Sequence, residues 1–219
     1  MNTTSRTRVD TKQNLITSAL ALFAAEGLDA VSMRTINSEA GARNASAVHY
    51  HFGSKLGIVE AVIDFVRAEF DQHRLPALEA LEAKAAAGET PGAREVLWTV
   101  FHPYYLVNRT PEHGRAAIRF LARLQTEMSP EIQRLVNRDP HDVARRTDAL
   151  LAQALPGLSD EIRRTRFVFA WALMVHGFAG SGSWEETALG DLRAPSGDVA
   201  LMRFFEYLLG GLQAPADLP

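Results

Sequence analysis

Apolar positions near the start of the chain recur at helical spacing. Leu15, Ala19, Leu22 and Phe23 fall at i, i+4, i+7 and i+8 and predict a first helix from about Asp10 to Glu26. Gly27 stops it, and Leu28 supplies the apolar residue that often follows such a stop. This helix is expected to pack on Ile36, Val48 and Phe52. Met33, Ile36 and Ala40 sit at i, i+3 and i+7 behind Ser32, a good N-cap, and Gly41 ends that second short helix. A third starts near Asn44 to Ser46 and runs to His51, with Val48 and Phe52 four apart and facing inward. Ser54 then caps a longer helix whose buried side is Leu56, Val59, Ile63 and Val66. Pro76 is expected to break it after about Arg74.

Beyond Leu75 the punctuation is helical throughout. Thr90-Pro91, Thr110-Pro111, Ser129-Pro130 and Asp139-Pro140 each pair a capping residue with proline, a favoured helix opening. The Ala-rich run from Glu79 to Ala87 predicts a surface helix. No alternating runs joined by Asn-Gly or Asp-Gly occur, so no strands are expected. Ser159 opens a helix whose second half, FVFAWALMVHGFAG from Phe167 to Gly180, is apolar around its whole circumference except at His176. It is shorter than the roughly 20 residues a bilayer requires. The last segment, DVALMRFFEYLL from Asp198 to Leu209, is apolar over most of its faces. A helix apolar all round must be covered on all sides. Two such helices predict a homodimer in which both chains contribute the pair, near 159–180 and 198–209, to a four-helix interface. A large monomeric core is the alternative.

Composition changes this picture little. The 219 residues suffice for one or two small domains. Without cysteine there is no disulfide frame and no thiolate chemistry. The start, MNTTSRTRVDTKQ, lacks the apolar stretch of a secretory signal; a flexible arm and a cytoplasmic location are expected. Charge says more. The net value of −3 argues against a non-specific nucleic-acid coat, but Met1 to Gly57 holds six Lys/Arg against four Asp/Glu, leaving −5 for the rest. A mildly basic head on an acidic body suits a protein that touches DNA with one end.

The stretch from Leu28 to Lys55 fits that reading. Its two short helices leave Asn44, Ser46, His49, Tyr50 and His51 outward, with Arg43 before and Lys55 after, and no run of carboxylates. A helix-turn-helix needs such a face: the second helix enters the major groove, its N-terminal residues reach base edges, and flanking groups hold phosphates. With Leu15 to Gly27, the stretch resembles the N-terminal domain of TetR-family transcriptional repressors. The shared features are Phe23-Ala24-Ala25-Glu26-Gly27-Leu28, Ser32-Met33-Arg34-Thr35-Ile36, the Ala40-Gly41 turn and Val48-His49-Tyr50-His51-Phe52-Gly53-Ser54-Lys55, the last being the most specific. The resemblance covers Thr11 to about Phe65 and implies a DNA-binding domain over 1–56 and a helical ligand-binding and dimerisation domain over 57–219. It also implies that the fourth helix carries a signal between them. Two departures stand out. The segment Ala40 to Phe52 is one residue longer than the commonest family spacing, and His49 replaces a frequent tyrosine, which would make a phosphate contact there pH-sensitive. Arg43, Asn44, Ser46 and Tyr50 are candidates for base contacts. Ser32, Thr35, His49, His51 and Lys55 are candidates for phosphate contacts.

Chemistry of other kinds finds no footing. His49 and His51 lie on different faces of a helix, and the other five histidines form no metal-ligand spacing. Ala179-Gly180-Ser181-Gly182-Ser183 follows a helix, so it is neither a phosphate loop nor a nucleophile elbow. No cofactor, metal or enzymatic activity is expected. A pocket for a small apolar or aromatic effector is expected instead, lined by Trp98, Phe101, His102 and Tyr105 around a helix interrupted at Pro103, by Arg119, Phe120 and Leu124, and by Trp171, Met174 and His176. Aromatics at this spacing serve equally as core. The expectation is an all-α protein: a three-helix helix-turn-helix head and a helical effector body, binding a palindromic operator as a homodimer. Its rivals are a regulator without an effector and a helical enzyme fused to a DNA-binding head.

Overall fold

A computed structural model describes residues 3–42, 44, 46–180, 188–191 and 197–216, without the side chains of 3–10. Among these residues the elements are α1 (Thr3–Glu26), α2 (Met33–Glu39), α3 (Ala47–Phe52), α4 (Lys55–Ala86), α5 (Ala93–Asn108), α6 (Gly114–Thr126), α7 (Pro130–Val136), α8 (Val143–Ala154), α9 (Asp160–Ala179) and α10 (Gly197–Gln213), with no strand. The expected all-α class holds. Two compact units divide the chain: Met1–Glu69 with Arg109–Arg138, and Phe70–Asn108 with Asp139–Pro219.

In the first unit α1 packs on α6 and α2, and α2 on α3. Leu15, Leu20 and Phe23 of α1, Ile36 of α2, Val48 of α3, and Ile118 and Phe120 of α6 are all fully buried. The rings of Phe23 and Phe120 stack at 6.2 Å. Arg123 of α6 donates from Nε to the carbonyl of Ala24 (2.9 Å) and from Nη2 to that of Ala25 (2.6 Å). These carbonyls lie in the last turn of α1, where helix partners run out. Arg138, just beyond α7, donates to Glu60 and Asp64 of α4 at 2.8 and 2.7 Å.

The second unit is built on rings. Phe101 of α5 lies within 5.9 Å, centroid to centroid, of Trp98, Phe178, Phe204 and Phe205. Gly177 of α9 lets the Phe204 ring of α10 lie against its backbone; a Cβ there would overlap the ring. Arg163, 4% exposed, donates to Asp148 of α8 at 2.8 Å and to Asp160 at 2.9 Å.

Several expectations need correction. The segment expected to be a flexible arm is helical from Thr3 on, where α1 begins. Pro76 does not end the fourth helix: α4 runs to Ala86 and absorbs the expected separate Ala-rich helix. Pro76 is exposed and costs one backbone hydrogen bond, while Leu78 and Leu81 beyond it are buried and hold the helical register. Pro103 is likewise interior to a continuous α5 and buried, so no broken helix opens a cavity there. Leu56 is exposed rather than part of α4's buried side, which is carried by Val59, Ile63 and Val66. Thr110-Pro111 precedes a turn, and α6 starts only at Gly114.

Candidate nucleic-acid interface

The α2–α3 pair is set by caps and by glycines. Ser32 Oγ accepts the Thr35 amide at 3.1 Å and lies 2.8 Å from Thr35 Oγ1, so these two phosphate candidates brace each other at the start of α2. Gly41 takes φ 61° after α2 and Gly53 takes φ 73° after α3, both in the left-handed region that suits glycine. Asn37, only 5% exposed, reaches from α2 to α3: its Oδ1 accepts the Val48 amide at 2.9 Å. Ser54 Oγ accepts the Gly57 amide at 3.1 Å and opens α4. Gly57 allows the Phe52 carbonyl close against it; a Cβ would overlap that oxygen. The end of α3 and the start of α4 are therefore joined with no room for a side chain.

This frame leaves most of the recognition candidates outward. Asn44, Ser46 and His49 are exposed, and Tyr50 is 63% exposed. His51 is half-buried, edge-on to the Tyr50 ring at 5.1 Å. Asn44 Oδ1 accepts the Ser46 amide at 2.9 Å, so its amide nitrogen is the group left to meet a base. Lys55 is half-buried, its Nζ donating to the Asp29 carbonyl at 3.3 Å; an ammonium keeps further donors for a phosphate. Val48 is fully buried, as expected, and Phe52 is half-buried under Lys12, whose Nζ lies 5.8 Å from the ring centre. Arg43 lies outside the described residues.

Residues 15–62 match the sequence model of bacterial regulatory proteins of the tetR family, and residues 99–211 match that of the tetracyclin repressor-like C-terminal domain. The chain belongs to the TetR family. This TetR-family protein is a DNA-binding transcriptional regulator and not an enzyme. Its fold is similar to solved structures described as TetR-family regulators. One from Rhodococcus sp. has a TM-score of 0.60 at 12% identity, covering 93% of this chain and 97% of that one. One from Mesorhizobium loti MAFF303099 has 0.59 at 13%, covering 94% and 96%. One from Marinobacter aquaeolei VT8 has 0.57 at 17%, covering 94% and 97%. No curated protein matches the sequence.

The regulator's effector candidates belong to two different units. Trp98, Phe101, His102 and Tyr105 come together on α5. His102 stacks on Trp98 at 4.8 Å and near-parallel to Tyr105 at 6.1 Å. Burial, and secondarily the charge of His73, hold the His102 imidazole below its ordinary pKa. Tyr105 donates a short hydrogen bond to Asp198 of α10. Phe101 is fully buried at the centre of the ring cluster. On α9, Met174 is buried, Trp171 is half-buried edge-on to Phe167, and His176 is exposed. Arg119, Phe120 and Leu124 belong to the first unit, where Arg119 is exposed, Leu124 is buried and Phe120 is taken up by Phe23. Buried Tyr104 has its pKa pushed up to about 12 by desolvation, against a smaller opposing effect of Arg74. It is a neutral phenol in the core.

Sequence reading missed three groups that shape the interface. Asn37 stands one position beyond Ile36, outside the apolar stripe. Arg123 reaches α1 from beyond the stretch, Thr11 to about Phe65, whose residues carried the resemblance. Gly57 lies inside a helix. A buried asparagine or an interior helical glycine was the available signal, because each is costly unless the fold uses it. Among the described residues no helix is long and apolar enough to cross a membrane, and no group of three or more His, Cys, Asp or Glu could hold a metal ion.

Proposed function

We propose that this regulator is a repressor that occupies a palindromic operator as a homodimer and is released by a small organic effector. In this reading the DNA-reading head spans 1–56, and the effector and dimerisation body follows it. Asn44, Ser46, Tyr50 and Arg43 meet bases; Ser32, Thr35, His49, His51 and Lys55 meet phosphates. The observation that carries the reading is the exposed polar-aromatic face of α3, flanked by cations and opposed by no carboxylate of its own. Dimerisation is supported by apolar side chains that α9 and α10 leave in solvent: Val168, Phe169 and Leu173 on one, Val199, Met202 and Tyr207 on the other. Exposed apolar side chains on two mutually packed helices mark an interaction surface. Two recognition helices related by a two-fold axis then read two half-sites.

An aromatic effector is supported by the α5 face of Trp98, His102 and Tyr105, half-exposed rings with a neutral imidazole between them. By linkage, an effector that weakens operator binding is itself bound less tightly by the operator-bound form. A second reading, a regulator with no effector, is favoured by the filled packing of Phe101 among four other rings. Fluorescence anisotropy on a duplex carrying the protein's own upstream intergenic DNA, against a scrambled duplex and across salt, tests the first reading. Selective binding at two chains per site supports it. Equal weak binding to both duplexes counts against it. A screen of aromatic acids and amphipathic aromatics for operator release then separates effector from no effector.

A further inference from the structure

We infer that Asn37 is the positioning residue of the recognition helix: its buried amide oxygen fixes the rotational setting of α3 and thereby which side chains face the DNA. The inference rests on the reading of α3 as the DNA-contacting helix. α3 has only six residues, Ala47–Phe52, too few to hold a helical turn by propensity. The first amides of any helix have no partner inside it. Ser46, at the N-cap, supplies no side-chain capping hydrogen bond. The Ala47 amide is taken by the Asn44 carbonyl at 3.0 Å, and the Val48 amide by Asn37 Oδ1 at 2.9 Å, eleven residues away on another helix.

The geometry makes this contact a setting pin. Val48 is fully buried, so in the folded protein its amide depends on Asn37 rather than on water for a partner. Asn37 is itself fixed at both ends of its residue: it sits in α2, and its own carbonyl accepts the Ala42 amide at 3.0 Å in the turn that follows. α3 is thus held at Val48 twice, by the side chain in the core and by the amide on Asn37. A slip of one residue about the helix axis would turn the outward face by roughly 100° and move His49 and Tyr50 off it. An apolar residue at 37 would leave the Val48 amide without its acceptor and would hold only the side chain of Val48, leaving the rotation softer.

Amide hydrogen exchange of the unbound protein, read residue by residue, tests this without any assumption about DNA. In Asn37→Ala the Val48 amide should exchange about tenfold faster or more, as expected when a buried donor loses its acceptor, while amides of α1 from Ala19 to Phe23 stay within about twofold of wild type. Asn37→Asp, which keeps an acceptor at Oδ1 and sets a negative charge favourably at a helix N-terminus, should keep Val48 protected. It also provides the reading if Asn37→Ala does not fold. On the upstream duplex, Asn37→Ala should lose selectivity over scrambled DNA at an unchanged salt slope, because the phosphate-contacting cations are intact. Val48 protection unchanged in Asn37→Ala, or lost in a folded Asn37→Asp, overturns the inference. So does an equal rise in exchange for α1 and α3, which would make Asn37 a general stability residue. If wild type shows no selectivity, the reading of α3 fails, yet the exchange comparison still decides the role of Asn37.

Discussion

The two compact units are held together by different physics. In the first, single polar groups fix the positions that matter: Ser32 and Ser54 cap helices, Asn37 pins α3, and Arg123 closes the end of α1. In the second, rings interlock around Phe101, and the buried Arg163 is paired with Asp148. Charge follows the same division. The first unit carries 13 Lys/Arg against 10 Asp/Glu, the second 10 against 16. Point contacts are directional and set an angle; ring packing is tolerant of direction and supplies bulk stability. Under the proposed function, base reading draws on the first kind and dimerisation on the second. Mutations in the two units should accordingly fail in different ways.

The largest effect is expected at Phe101. Phe101→Ala removes a fully buried ring from the centre of the aromatic cluster and should destabilise the protein by about 3–5 kcal/mol. Urea unfolding at neutral pH measures it. A loss well under 1 kcal/mol would mean that the cluster does not carry the second unit. Next is Asp148→Asn, which leaves Arg163 buried with only Asp160 as an ionised partner and should cost about 3 kcal/mol. Burial alone would raise the Asp148 pKa, but the hydrogen bonds from Arg163 and Arg164 outweigh it and leave it lowered. Its contribution is therefore present above the ordinary carboxylate range and is lost as pH falls through the folded value, below about pH 4. The gap between wild type and Asp148→Asn should narrow between pH 7 and pH 3. A constant gap would show that the charge on Asp148 is not what matters.

Gly57→Ala sharpens the comparison from the other side. Its Cβ would overlap the Phe52 carbonyl oxygen, so the α3–α4 junction must shift. Overpacking of this kind costs about 1–3 kcal/mol. DNA binding should fall further than that stability loss explains, because the shift displaces α3 itself. Anisotropy under conditions where both proteins are fully folded reads the difference, and equal affinity would separate the junction from recognition. The smallest effect belongs to Lys55→Ala. It should weaken binding to all sequences alike and reduce the steepness of the log K against log salt line by about 0.9. An unchanged slope would remove Lys55 from the phosphate contacts.

Much of the fold was legible because its signals are local. Ser32 before Met33, Gly41 after α2, Ser129-Pro130 at α7 and Ser159 before Asp160 each marked a helix end that the structure places there. The VHYHFGSK run carried the family. Prolines read as helix breaks misled at Pro76 and Pro103, because buried residues beyond each hold the helix through the lost hydrogen bond, and Pro111 misled as a helix opening, since α6 starts at Gly114. The joining of α6 to α1 was not legible: it depends on Phe120 meeting Phe23 and on Arg123 reaching the Ala24 and Ala25 carbonyls, pairings about 100 residues apart that no periodicity encodes. Asn37 was hidden for a related reason. Its role lies in one hydrogen bond across a turn, and an asparagine next to a buried stripe reads as surface until the turn is built.

Selection of bound duplexes from random DNA by the wild-type protein tests the central claim most directly. Two inverted half-sites with centres about one helical turn, roughly 10 base pairs, apart are predicted, with the sequence preference at one position of each half-site relaxed when the selection is repeated with Asn44→Ala. Recovery of no common sequence, or of a single asymmetric site indifferent to Asn44, would contradict the account of α3 as the reading helix of a two-fold dimer.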